Sequence, residues 1–138
     1  MEKFLDQFNV TPMQRVQFEM FVFGMADKIV GGYCGGMWET REVNGVQMLL
    51  IPADETARVD LKAFDFGGDM FALDITTDHA TASAIFTVMV TTWYWNMHVT
   101  RLSDDSQRQF SRVHEGIGDA VYKKANGYDT RAYSRYTD

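Results

Sequence analysis

Four glycines fall within the six residues Gly31 to Gly36, and directly behind them comes the run MWETREVNGVQMLLIP. A glycine inside a helix costs about 1 kcal/mol relative to alanine, so no helix passes through such a cluster; positive φ is open there and the chain can turn sharply. Beyond the break, Met37–Val43 and Val46–Ile51 read as strands. The Asn44-Gly45 between them is the dipeptide best suited to a two-residue type I′ turn. The stretch from Gly31 to Pro52 therefore predicts a helix end, a glycine break and a β-hairpin.

The remaining elements arrange themselves around that hairpin. Residues 2–8 read as a short helix closed by Asn9. Thr11-Pro12 is a helix start, with the threonine as N-cap and the proline at the first helical position. From Met13 to Val30, Val16, Met20 and Phe23 form one apolar line and Phe18, Phe21, Met25 and Ile29 widen it, predicting a helix buried on well over one side. After the hairpin, Ala57–Phe64 alternates as a half-buried strand, Gly67-Gly68 makes a turn, and Met70–Ile75 reads as a fourth strand. Thr76-Thr77-Asp78 offers N-caps for a long helix reaching about Arg101, apolar nearly all round and placed between the sheet and the other helices. Its β-branched residues leave a strand reading of part of it open. Ser103 starts a further helix to about Ala125 with Phe110, Val113, Ile117, Val121 and Tyr122 inward, Gly127 closes it, and a tail or short helix follows. With no internal repeat or linker, the chain is expected to be one domain over residues 1–138. The expected class is α+β: an antiparallel meander sheet of three to four strands packed with N-terminal and C-terminal helices.

Charge and cysteine usage narrow the function classes. The net charge is −6, and between Asp54 and Asp78 seven acids face two bases, so that segment alone carries −5. Such a balance repels phosphates, and no basic stripe of the kind duplex DNA requires is present. Direct nucleic-acid binding is not expected. The single Cys34 forms no internal disulfide, which suits a reducing compartment. The first ten residues lack the pattern of a signal peptide, and no apolar run reaches the roughly 18–20 residues of a membrane helix. A cytoplasmic protein without a membrane partner is expected.

Candidate chemistry is sparse. The glycine cluster lacks the spacing and the lysine of a phosphate loop and reads as a turn. Cys34 with His79, His98 and His114 supplies the parts of a nucleophile–base pair, and a small enzyme with a Cys34/His79 site is the alternative reading. No local signature surrounds Cys34, and a lone cysteine is more commonly a small buried apolar residue. The histidines, with Asp74, Asp78 or Glu115, fall at none of the usual metal spacings, so neither a metal nor another cofactor is expected. Trp93 and Trp95 read as core. The tail residues Tyr128, Arg131, Tyr133, Arg135 and Tyr136 are of the types enriched at interfaces. Asp60, Asp65, Asp69, Asp74 and Asp78 read as a solvated face that could dock on a basic groove of a partner protein.

One further pattern runs through the middle of the chain. Tyr33, Gly35, Gly36, Trp38 and Glu39 form a Tyr-x-Gly-Gly-x-Trp-Glu element, followed by Asn44-Gly45 and an apolar strand ending in Pro52. This element, continued through the Phe66-Gly67-Gly68-Asp69-Met70 turn into Ala80–Phe86, resembles the ArdB/KlcA antirestriction family, whose members protect incoming plasmid and phage DNA from host restriction. The resemblance implies a single non-enzymatic α+β antirestriction domain in a bacterial host. Its partner would be a host defence complex, a type I restriction enzyme first and a CRISPR effector as the alternative, inhibited by protein binding without catalysis. No catalytic residue carries over, and Tyr33, Trp38 and Glu39 enter as motif positions. A monomer is expected; a homodimer would rest on exposed aromatic residues of the hairpin or tail.

Overall fold

The computed structural model describes residues 1–66, 69–71 and 74–137, with the backbone alone for 64–66, 69–71 and 137. The Gly67-Gly68 turn and the Ala72-Leu73 part of the expected fourth strand lie outside the described residues. The elements in chain order are α1 (Glu2–Asp6), α2 (Pro12–Ile29), β1 (Glu39–Val43), β2 (Val46–Leu50), β3 (Arg58–Leu61), β4 (Phe64–Phe66), β5 (Asp69–Phe71), β6 (Ile75–Asp78), α3 (His79–His98), α4 (Asp104–Tyr122) and α5 (Thr130–Thr137). The fold is α+β, as expected.

Local signals set the starts of these elements. Thr11 closes a capping box on α2: its hydroxyl accepts from the Gln14 amide at 3.2 Å, and the Gln14 side chain accepts from the Thr11 amide at 2.9 Å. Asn44 and Gly45 both take positive φ, 53° and 83°, which is what the type I′ turn requires, and Val43 pairs with Val46. Ser103 caps α4 through the Ser106 amide at 3.0 Å. The strand reading of the long apolar segment does not hold: it is helical throughout α3, with a short 3-10 turn at Val99–Arg101. Fourteen of the twenty residues of α3 are buried, so this helix is the centre of the molecule, touching β2, α2, α4 and α5.

The meander does not form. Among the described residues β1 pairs only with β2, β3 with β6 and β4 with β5, giving three two-stranded antiparallel units. The expected fourth strand is divided between β5 and β6, which have different partners. The reason lies at the free edge of β2. A strand edge carries unpaired N–H and C=O groups that need partners when buried. Here side chains supply all of them. The Gln7 amide takes both the N–H and the C=O of Gln47, at 3.0 and 2.8 Å. Thr87 Oγ1 accepts from the Leu49 amide at 3.1 Å, and Ser83 Oγ accepts from the Ile51 amide at 3.1 Å. The Ile51 carbonyl lies 2.7 Å from His79 Nε2 and can only accept, so that nitrogen carries the proton. His79, Ser83 and Thr87 recur every four residues and form one stripe along α3. This polar stripe occupies the position a third strand would take.

The core is aromatic where α1, α2, α3 and α4 meet. Phe18 stacks on Tyr94 with centroids 4.3 Å apart, and Phe8 on Phe110 at 4.3 Å, with Phe4 edge-on to Phe8. Two expectations about inward faces are corrected. In α2 only Phe18, Val22, Met25, Ala26 and Ile29 are buried. The line Val16, Met20 and Phe23 points to solvent, because the cluster that receives Phe18 lies on the opposite side of the helix. Tyr122, expected inward on α4, is half exposed and exchanges a hydrogen bond with Ser134.

Asp78 ends β6 and caps α3, its carboxylate accepting from the Thr81 amide at 3.0 Å. Burial disfavours its charged form, but hydrogen bonds from Thr81 and then Thr77 outweigh that penalty and hold its pKa below the ordinary 3.8. A lowered carboxyl pKa stabilises the fold above the unfolded-state value, and the contribution disappears as pH falls through the lower folded value. Asp78→Ala is therefore expected to lose about 1 kcal/mol near neutral pH, with Asp78→Asn losing only a fraction of that. The gap between the native chain and the alanine variant should narrow as pH falls below 3.8, while the gap to the asparagine variant disappears, as followed by urea denaturation at each pH.

Candidate interaction surface

The acid-rich segment folds into the ribbon made by β3 with β6 and β4 with β5. Register partners share a face. Arg58 faces Asp78 and Asp60 faces Thr76, while the alternate residues Val59, Leu61, Ile75 and Thr77 are buried. The outward face therefore carries Arg58, Asp60, Thr76 and Asp78. Leu61 faces Ile75 and Phe64 faces Phe71, so two residues on one side answer three on the other and the ladder is interrupted. Asp74 sits at that interruption, exposed, its carboxylate accepting from the Ala63 amide at 3.1 Å.

Of the five acids expected to form one face, the structure brings Asp60 and Asp74 to the exposed side of the ribbon. It uses Asp78, half-buried, as a cap. The Asp60 carboxylate accepts from the Thr76 hydroxyl, and Arg58 donates to the Thr76 carbonyl at 2.9 Å. Asp65 pairs with Met70 and Asp69 with Phe66, two successive register positions. The side chains of Asp65 and Asp69 lie outside the described residues.

Beside the ribbon lies the C-terminal segment, far from it in sequence. The tail is a docked helix rather than a frayed end: Ala132 and Tyr133 of α5 are buried. Burial pushes the Tyr133 and Tyr136 hydroxyls above their ordinary range. Asp129 holds the start of this segment, with its carboxylate on the Ala132 amide at 3.0 Å and on the Thr77 hydroxyl at 3.2 Å. Arg131 and Arg135, one helical turn apart and both exposed, then line an open cleft of about 440 Å³ together with Asp74, Thr76 and Asp129. The described part of the surface is thus mixed in sign. The i, i+4 spacing of the two arginines was visible in the sequence; their place beside Asp74 depends on α5 packing against α3.

The aromatic residues of the glycine-loop motif pack toward the interior. Trp38 is buried and stacks on Phe86 of α3, centroids 5.4 Å apart at 24°, and its Nε1 donates to the Tyr33 hydroxyl at 3.2 Å. Gly36 adopts φ 122°, and a Cβ there would come within 3.0 Å of Pro52. Gly35 also takes a positive φ, while Glu39 starts β1 on the exposed side. These residues fasten the loop to α3 and to the end of β2. Met37, 84 % exposed, and Glu39 border a cleft of about 330 Å³ at this loop.

The remaining candidates do not converge. Cys34 lies in the irregular glycine loop and is exposed, against the expectation of a small buried apolar residue. His79 is buried and committed to the Ile51 carbonyl, and no hydrogen bond joins it to Cys34 among the described residues. His98 packs against Tyr94, where burial and then Arg101 lower its pKa, and His114 lies near the Thr92 hydroxyl at 3.4 Å. Among the described residues no three His, Cys, Asp or Glu side chains form a cluster that could hold a metal ion. Trp93 is buried and Trp95 half-buried, in keeping with a core role. No helix of the described residues is long and apolar enough to cross a membrane. Compared with known proteins, the chain matches no family model, no curated protein and no solved structure.

Proposed function

We propose that this chain is an anti-defence protein of the ArdB/KlcA kind, acting in the cytoplasm of a bacterial host. It inhibits type I restriction by binding a protein component of the restriction complex, without catalysis and without gripping DNA itself. A related immune complex such as a CRISPR effector is the alternative target. The observation that carries this reading is the −5 balance of Asp54–Asp78, on a segment whose Asp60 and Asp74 project to solvent from a two-stranded ribbon. The net negative balance of this segment steers encounter with a basic partner and adds on-rate, even though Arg58 shares the outward face. The Tyr33, Gly35, Gly36, Trp38 and Glu39 motif contributes by holding the loop in shape, since its aromatic members face inward.

The test is capture of partners by the tagged protein from a restriction-proficient host, washed at low and then high salt. A defence-complex subunit that is retained at low salt and elutes at high salt supports the proposal. Reversing Asp65 and Asp69 to lysine is expected to lower protection of unmodified phage DNA by about tenfold or more, through the loss of steering. The circular dichroism spectrum should stay the same. Full protection by that double variant would remove the ribbon as the docking face.

A further inference from the structure

Helix α2 keeps one apolar line away from its own core. Met13, Val16, Met20 and Phe23 are 72, 58, 67 and 38 % exposed, on the side opposite Phe18 and Val22. Their spacing of three, four and three residues reads the same in both directions. A two-fold axis across the middle of the helix therefore sets Met13 against Phe23 of a second copy and Val16 against Met20, and each contact is made twice. The same operation brings Pro12, at the start of the helix, opposite Gly24. Gly24 is an exposed glycine inside the helix with open space where a Cβ would stand. A glycine there weakens the isolated helix relative to alanine and gives nothing to the packing of a single copy, whereas it admits a second helix closely.

The stripe can form the apolar centre of an interface. The four exposed side chains present roughly 450 Å² of apolar surface, somewhat over half of the ~800 Å² that each partner brings to a standard interface. The flanking Gln17, Glu19 and Asp27 can supply the polar remainder as a rim. We infer that the α2 stripe is a homodimer interface, two copies packing their α2 helices antiparallel about a two-fold axis near Val16 and Met20. The proposed dimer stands against the expected monomer, and it uses a surface other than the hairpin and tail aromatics. It is independent of the antirestriction reading.

Sedimentation equilibrium of the full chain, from micromolar to hundreds of micromolar, tests the inference. The expected result is a reversible monomer–dimer equilibrium that persists at high salt, because the contact is apolar. Met20→Glu and Val16→Glu each place two charges at the axis and should weaken association about a hundredfold or more. Both positions are exposed in the single copy, so the helical spectrum and melting of a dilute sample should not change; Met20→Leu should still dimerise. A monomer at every concentration would overturn the inference, as would a dimer that tolerates both glutamates. A stripe that instead serves a different protein would show itself as the first of these outcomes.

Discussion

Replacing Trp38 with alanine is expected to destabilise the fold by about 3–5 kcal/mol, the range for removing a buried large aromatic side chain. The substitution removes the stack on Phe86 and the hydrogen bond to the Tyr33 hydroxyl, and it opens a void between the glycine loop and α3. Tyr33→Phe removes the hydrogen bond alone and should lose about 1 kcal/mol. Denaturant melts of the two variants separate packing from hydrogen bonding. If Trp38→Ala left stability within about 0.5 kcal/mol of the native chain, as for a surface change, the motif would have to be reassigned from scaffold to contact surface.

The second large effect concerns the edge of β2. Ser83→Ala combined with Thr87→Val keeps the volume of α3 nearly constant but strips the acceptors from the Leu49 and Ile51 amides. Each buried N–H left without a partner costs about 1–3 kcal/mol, so the pair is expected to lose about 2–6 kcal/mol. Hydrogen exchange distinguishes this from loosened packing. The Leu49 and Ile51 amides should exchange much faster than the amides of the buried middle of α3, which keep their helical bonds. Equal acceleration at both places would mean that the fold had opened globally and that the hydroxyls act through packing.

These two sites differ in how far they could be read in advance. The Tyr33-x-Gly35-Gly36-x-Trp38 element was recognisable as a unit because its parts lie within six residues. The polar stripe of α3 was not, because His79, Ser83 and Thr87 look like interruptions in an apolar helix until β2 is placed beside them. The acidic segment was legible as a charge imbalance, but its neighbours were not. Arg131 and Arg135 come from the far end of the chain and meet Asp74 only because α5 docks on α3.

What the amino-acid sequence determined by itself was local. Thr11, Asp78 and Ser103 each satisfy the helix amide three residues away, and Asn44-Gly45 is held in its turn by the backbone freedom of those two residues, so each signal works without the rest of the chain. The α+β class follows from such signals placed in order. The tertiary structure decided the pairings and the faces. A strand edge accepts any donor or acceptor that reaches it, and here Gln7, His79, Ser83 and Thr87 reached β2 in place of a third strand. A helix with two apolar lines can bury either one. In α2 the aromatic cluster around Tyr94 and Phe110 took Phe18, and that choice turned Met13, Val16, Met20 and Phe23 outward.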